Sequence, residues 1–335
     1  MTTSAAAFTE SDGRVTMASL TRPLAPLMSQ LDAFLEAETA EFEPEVREMV
    51  AYAFAHSGKR LRPILVFFSG WGASGSDAEL VKAAAIVEMV HLATLVHDDI
   101  LDSATLRHGA PTLVTKYGAH ASVLVGDAMF SEALRLASSF DTTEVCRVVA
   151  LATRRVCAGE IGQTFARGDD HLSREKYYRV IELKTAELFR AACRLGAVAG
   201  GFGGEFADAA DAYGMHLGTA YQIFDDVADL VGDEAGIGKT LGTDLASGKF
   251  TLPLLMLMDG LPDPERKAMA QSLAKMDAAA LGAVFASNNV VPRVRDAFMA
   301  EVDAATAALA PFDRIPGREP LNRLASFVSS LMAGY

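Results

Sequence analysis

The pattern Asp-Asp-x-x-Asp occurs twice, as Asp98, Asp99 and Asp102 and again as Asp225, Asp226 and Asp229. On a helix the first and last carboxylates of each set lie one turn apart on one face. Carboxylates stacked in this way repel one another unless a cation joins them. Mg²⁺ suits the task, because it takes hard oxygen ligands and bridges a few carboxylates to phosphate oxygens. The doubled motif therefore points to two acidic helix ends facing each other across a metal–diphosphate cluster. One copy alone is weak evidence, since a solvated helix face in an acidic chain reads the same way.

The elements that must carry these carboxylates strengthen the reading. Over 77–103, Leu80, Ala84, Val87, His91, Leu95, Asp98 and Asp102 follow helical spacing, apolar at the start and acidic at the end. Gly214, Gly218, Gln222, Asp225 and Asp229 form a second such stripe within 205–232. A core helix has no need of charge on its apolar face, whereas a deep pocket with a metal rim does. His97, beside the first motif, reads as a helix-surface histidine.

Basic residues accompany both motifs. Gly58-Lys59-Arg60-Leu61-Arg62-Pro63 places three cations at a predicted helix start, where the macrodipole is already positive and an anion would be welcome. Arg107-His108-Gly109 follows the first motif with a fork donor suited to phosphate, or with an arginine paired to Asp102. Lys184-Thr185 sits within a predicted helix, where Thr185 can bond back to the preceding turn, bend the helix and free a carbonyl. Gly159 and Gly162 interrupt another helical pattern, each costly unless something must approach closely. After the second motif, Lys239 and Lys249 lie in a glycine-rich loop, a candidate flap carrying cations for a leaving phosphate.

The chain has 335 residues, half of them apolar, and a formal net charge of −13. This composition supports a large core and opposes a general nucleic-acid binder, which needs a basic footprint. The three cysteines, Cys146, Cys157 and Cys193, contain no CxxC pair and suggest a reducing compartment. No signal sequence is apparent, and Lys82, Glu88 and His91 interrupt the apolar runs, so neither secretion nor a transmembrane segment is expected and the cytoplasm is the expected location. Residues 1–22 are polar and poorly patterned and are expected to form a flexible tail. The remainder, 23–335, is expected to be one all-α domain, a single large helical bundle around a deep central cavity. Helices are predicted near 24–40, 44–56, 60–72, 77–103, 119–140, 143–167, 173–201, 205–232, 246–259, 264–286, 291–312 and 317–334, without convincing strands.

Taken in this order, the motifs from about Gly58 to Pro253 resemble the trans-isoprenyl diphosphate synthases, or polyprenyl synthetases. The resemblance implies an isoprenoid-synthase type of all-α fold, usually a homodimer, joining an allylic diphosphate to isopentenyl diphosphate head to tail with Mg²⁺. It implies Asp98, Asp102 and Asp225 as principal metal ligands, with Asp99, Asp226 and Asp229 assisting directly or through water. Lys59, Arg62 and His91 would hold isopentenyl diphosphate. Arg107, Lys184, Thr185, Gln222, Lys239 and Lys249 would hold or assist the allylic diphosphate. A carbonyl near Lys184 and Thr185 and the amide of Gln222 would stand near the carbocation, and released diphosphate would take the final proton. His108 departs from the pattern, which usually has a second arginine there contacting isopentenyl diphosphate, and Ser57 replaces a usual glycine.

Ala93 and Thr94, five and four residues before Asp98, are small where short-chain members carry a bulky aromatic. A long product, above C20 and in the range C30–C50, is therefore expected, with transient membrane contact on release. A shorter-chain (C15–C25) synthase such as a geranylgeranyl diphosphate synthase is the alternative. A class I terpene cyclase would not need the Gly58–Pro63 site, and a non-catalytic synthase subunit would tend to lose one acidic motif.

Overall fold

The computed structural model describes residues 15–72, 75–169, 173–231, 243–273, 275–276 and 278–334. Its helices are α1 Met17–Thr21, α2 Ala25–Glu41, α3 Pro44–Ala55, α4 Leu61–Ser69, α5 Asp77–Leu101, α6 Leu113–Tyr117, α7 Ala119–Ser138, α8 Thr143–Phe165 and α9 Arg174–Ile181. There follow α10 Glu187–Ala199, α11 Gly204–Val231, α12 Thr243–Ala246, α13 Leu252–Leu257, α14 Asp263–Leu273, α15 Ala278–Ser287, α16 Val290–Ala308 and α17 Arg318–Leu331. Local sequence fixes many of the starts. Ser76 accepts from the Ala78 amide to cap α5, Ser173 accepts from Lys176 to cap α9, and Pro44 opens α3.

Several expectations are corrected. Residues 16–22, expected within the tail, are ordered in the fold, because Thr16 and Ser19 form a reciprocal capping box that starts α1 and Leu20 is buried. Two-residue strands β1 Leu106–Arg107 and β2 Ala110–Pro111 form a small antiparallel hairpin, and α6 follows it. Elements this short carry too few residues to show a period. The helix predicted over 173–201 is divided by a π-turn, Glu182–Ala186. The stretch predicted over 246–259 keeps helix only at α12 and α13, with Gly248 between them at φ +76°. Finally, α5 is long and apolar enough to cross a membrane by length and composition, contrary to the sequence reading. Most of it is buried against α2, α4 and α7, so its apolar surface is covered by the fold.

The chain's contacts group into two compact units. The first comprises the chain to Thr153, Leu188–Gly214 and Leu309–Leu324; the second comprises Arg154–Glu187, Met215–Ala308 and Ala325–Tyr335. In the first, α5 is the central element, with Ala83, Ala84, Ile86, Met89 and Ala93 fully buried. Gly126 of α7 makes room for the ring of His97, whose Nε2 would stand 2.2 Å from any Cβ there. His97 thus faces α7, with Nε2 3.1 Å from the Val123 carbonyl, as a helix-surface histidine. In the second unit, α13 is buried and packs against α9 and α16.

Candidate active site

Both acidic motifs lie at helix C-termini, α5 ending at Leu101 and α11 at Val231. Carboxylates there face the negative end of the macrodipole, an unfavourable placement that a bound cation reverses. Within each motif the carboxylates differ sharply. Asp98 and Asp225 are half-buried and Asp102 is exposed. Asp99 is buried and accepts two bonds from Arg107, from Nε at 2.9 Å and Nη2 at 2.7 Å. Burial raises the pKa of Asp99, and the bonds and charge of Arg107 oppose that rise. Arg107 therefore pairs with Asp99 and not with Asp102. Asp226 is buried and accepts from Tyr177 Oη at 2.6 Å and from Gln222 Nε2 at 2.7 Å. Burial, with Asp244 nearby, pushes its pKa well up, against the two donors. Asp229, fully buried, accepts from the Asp244 amide at 3.1 Å.

The assisting carboxylates Asp99, Asp226 and Asp229 thus have protein partners, each within its own unit. Among the described residues no three His, Cys, Asp or Glu side chains gather into a ready cage. Mg²⁺ at either motif would take further ligands from water or phosphate, as this ion commonly does, and the hard carboxylate oxygens of each motif suit it.

In the first unit a cationic cluster assembles from three elements. Arg60 adopts a left-handed φ of 51° at the start of α4 and turns inward, pairing with Asp32 and donating from Nε to Ser57 Oγ at 2.9 Å. It is tied to the fold, and Ser57 helps hold it. Lys59 stays exposed. Arg62 Nη1 lies 2.9 Å from His91 Nε2, and its guanidinium stands 5.1 Å above the Phe189 ring centre. Arginine only donates, so Nε2 of His91 accepts and its proton resides on Nδ1. Burial, then Arg62, Arg107 and His108, holds His91 well below its ordinary pKa. The hairpin brings His108 onto Gly58, where a Cβ would lie 2.8 Å from Nε2. Burial, then Arg107, lowers the His108 pKa; Lys59 adds to this and Asp99 opposes it. Burial first, and neighbouring cations after it, lower both imidazoles, and those cations give the cluster a positive potential that suits a phosphate.

In the second unit the π-turn displays Lys184 and Thr185. Lys184 pairs with Glu160 and donates to Gln163 Oε1 at 2.8 Å. Thr185 does not bond back to the preceding turn as expected; its Oγ1 donates to Gln222 Oε1 at 2.7 Å. Gly159 makes room for the turn, since a Cβ there would stand 2.6 Å from the Lys184 nitrogen. Lys249 pairs with Asp244 at 3.3 Å, and Lys239 lies outside the described residues.

Sequence reasoning missed Tyr177, Asp244, Glu160 and Glu88 as parts of these clusters. Glu88, one turn before His91, is buried with Oε2 lacking a partner, and burial lifts its pKa to about 7 despite Arg62 and Arg60. A glutamate on the apolar stripe of α5 was the available signal. Ala93 is fully buried, while Thr94 is half-buried and donates to the His91 carbonyl at 2.6 Å. Only Thr94 shares the Asp98 face, being four residues away and not five.

An all-α fold with carboxylate-rich helix ends and a separate cationic pocket defines a protein built for metal-assisted diphosphate chemistry. The sequence pattern of the Polyprenyl synthetase family matches residues 43–286. The octaprenyl diphosphate synthase of Escherichia coli (strain K12) is 33% identical over 284 residues, covering 84% of this chain and 88% of that protein. The nonaprenyl diphosphate synthase of Mycobacterium tuberculosis is 31% identical over 309 residues, covering 90% and 92%. A polyprenyl synthase from Caulobacter crescentus CB15, solved with calcium and isoprenyl diphosphate, superimposes with a TM-score of 0.84 at 32% identity, covering 94% and 98%. The chain belongs to the polyprenyl synthetase family.

Proposed function

We propose that the protein is a Mg²⁺-dependent prenyltransferase that condenses an allylic diphosphate with isopentenyl diphosphate head to tail, making a long all-trans polyprenyl diphosphate. The observation that carries this reading is the cluster of Lys59, Arg62, His91 and His108, a second anion site distinct from the acidic motifs. A terpene cyclase, which takes one diphosphate, has no use for it.

In keeping with the family resemblance, Asp98, Asp102 and Asp225 would hold Mg²⁺, which would supply charge neutralisation to the departing diphosphate. Arg107, Lys184 and Lys249 supply further positive charge to its oxygens. Thr185 and Gln222 turn oxygen dipoles toward the allylic carbon as it becomes cationic. Arg62 and Lys59 fix isopentenyl diphosphate, while neutral His91 and His108 complete the phosphate pocket by donating hydrogen bonds. The released diphosphate takes the final proton, in keeping with the family resemblance.

The small residues Ala93 and Thr94 support a long product, and the octaprenyl and nonaprenyl names of two relatives agree with that length. Homodimerisation is part of the reading and is supported by Val123, Leu124 and Leu134, which α7 leaves exposed. Light scattering at micromolar concentration tests it. We place the enzyme in the cytoplasm, with membrane contact as the apolar product leaves. Incubation with Mg²⁺, farnesyl diphosphate and labelled isopentenyl diphosphate should yield C30–C50 products. Termination at C20 would refute the length, and no chain extension would refute the activity.

A further inference from the structure

A chain of hydrogen bonds runs through the second unit, from Tyr177 to Asp226, from Asp226 to Gln222 and from Gln222 to Thr185. Its donor directions follow from the atoms that meet. Asp226 accepts at both oxygens, from Tyr177 Oη at Oδ2 and from Gln222 Nε2 at Oδ1. Gln222 thus turns its NH₂ to Asp226, at 2.7 Å, and its carbonyl to Thr185. Two oxygens only 2.7 Å apart need a hydrogen between them, and the amide carbonyl has none, so Thr185 donates. The single hydroxyl hydrogen of Thr185 is thereby committed. Any group approaching Thr185 Oγ1 from elsewhere meets lone pairs. With the amide reversed, Thr185 would accept from Gln222 and aim its hydrogen outward.

The difference matters for cation chemistry. Lone pairs turned toward a developing allylic cation stabilise it, while an outward O–H opposes it, and a fixed dipole needs no reorganisation during reaction. Gln222 lies one turn before Asp225, about 4.5 Å along the axis of α11, which places the Thr185–Gln222 pair beside the metal-binding end of that helix.

We propose that Asp226, held by Tyr177, is a positioning residue that sets the amide orientation of Gln222 and so makes Thr185 an acceptor toward the allylic carbon. This rests on the prenyltransferase reading and assigns Asp226, within an acidic motif, a role other than metal ligation. Tyr177 contributes by pinning the second carboxylate oxygen at 2.6 Å in a buried site.

The test is an exchange of charge and amide. In Asp226→Asn the amide of residue 226 can present either face, the direction at Thr185 is no longer dictated, and kcat falls by about 10²-fold, the scale seen when one preorganised dipole is lost. Combining it with Gln222→Glu preserves net charge and restores the direction. The NH₂ of residue 226 then donates to the carboxylate of residue 222, which accepts from Thr185. The double variant should recover at least tenfold over Asp226→Asn, with the Mg²⁺ concentration for half-maximal rate unchanged. Calorimetric titration of inorganic diphosphate with Mg²⁺ should give wild-type affinity in both.

A raised Mg²⁺ requirement in Asp226→Asn without rescue would show that Asp226 ligates metal and overturn the proposal. Tyr177→Phe removes one oxygen and provides an independent check. It should lower kcat with little change in KM, and the loss should be absent in a Thr185→Val background, whereas additive losses would overturn the proposal. Wild-type enzyme without prenyl transfer would instead refute the functional reading itself.

Discussion

Two glycines three residues apart on α8 give opposite predictions. A Cβ at Gly159 would stand 2.6 Å from the backbone nitrogen of Lys184 and 2.9 Å from the Leu183 carbonyl carbon. These are backbone atoms of the π-turn, and no side chain can swing aside to make room. Regaining an ordinary 3.4 Å contact requires a retreat of about 0.8 Å, the difference between 3.4 and 2.6 Å. That shift moves Lys184 and Thr185 together, and displacement of catalytic groups by about 1 Å costs on the order of 10²-fold in rate. Overpacking adds about 1–3 kcal/mol of destabilisation. Gly159→Ala should therefore lower kcat by about 10- to 100-fold and reduce the melting temperature. KM for isopentenyl diphosphate should change little, because Lys59, Arg62 and His91 are held by other elements. At Gly162 the nearest atom to a Cβ is Val180 Cγ2 at 3.6 Å, an ordinary contact. Gly162→Ala should keep activity and gain up to about 1 kcal/mol from helix propensity. Steady-state kinetics with both substrates varied, alongside thermal denaturation, reads all of this. A Gly159→Ala enzyme with kcat within twofold of wild type would refute the claim that this glycine positions the π-turn.

Three further outcomes are expected. Gly58→Ala should push His108 from its place and raise KM for isopentenyl diphosphate severalfold, leaving KM for the allylic substrate unchanged in initial-rate measurements. Thr94→Phe should shorten the product distribution on reversed-phase chromatography, and its half-buried position makes it a cleaner probe than fully buried Ala93. Folding stability should depend on pH through His91. Its folded pKa lies below the ordinary 6.5, so as pH falls under 6.5 the unfolded chain binds a proton that the folded chain refuses. Stability is lost at about 1.4 kcal/mol per pH unit until the folded pKa is reached. Glu88 acts oppositely between 4.5 and about 7, since its folded carboxyl stays protonated there. Urea titrations of wild type and His91→Gln at pH 7.5 and 5.5 isolate the histidine contribution as the difference between the two proteins.

The sequence by itself determined the helical architecture, many element boundaries and the chemistry at the helix ends. These features are local: caps act within four residues, stripes repeat every three or four, and carboxylates four apart share a face wherever the helix lies. Only the tertiary structure decided which charged groups belong to the fold. It gave Asp99 to Arg107, Asp226 to Tyr177 and Arg60 to Asp32, pairings with partners 8, 49 and 28 residues away. It also separated Gly159 from Gly162, identical as residues but facing different neighbours. The doubled Asp-Asp-x-x-Asp was legible because its spacing is one helical turn. The protein partners of Asp99, Asp226 and Asp229 were not, because burial and partner choice depend on which helices pack together.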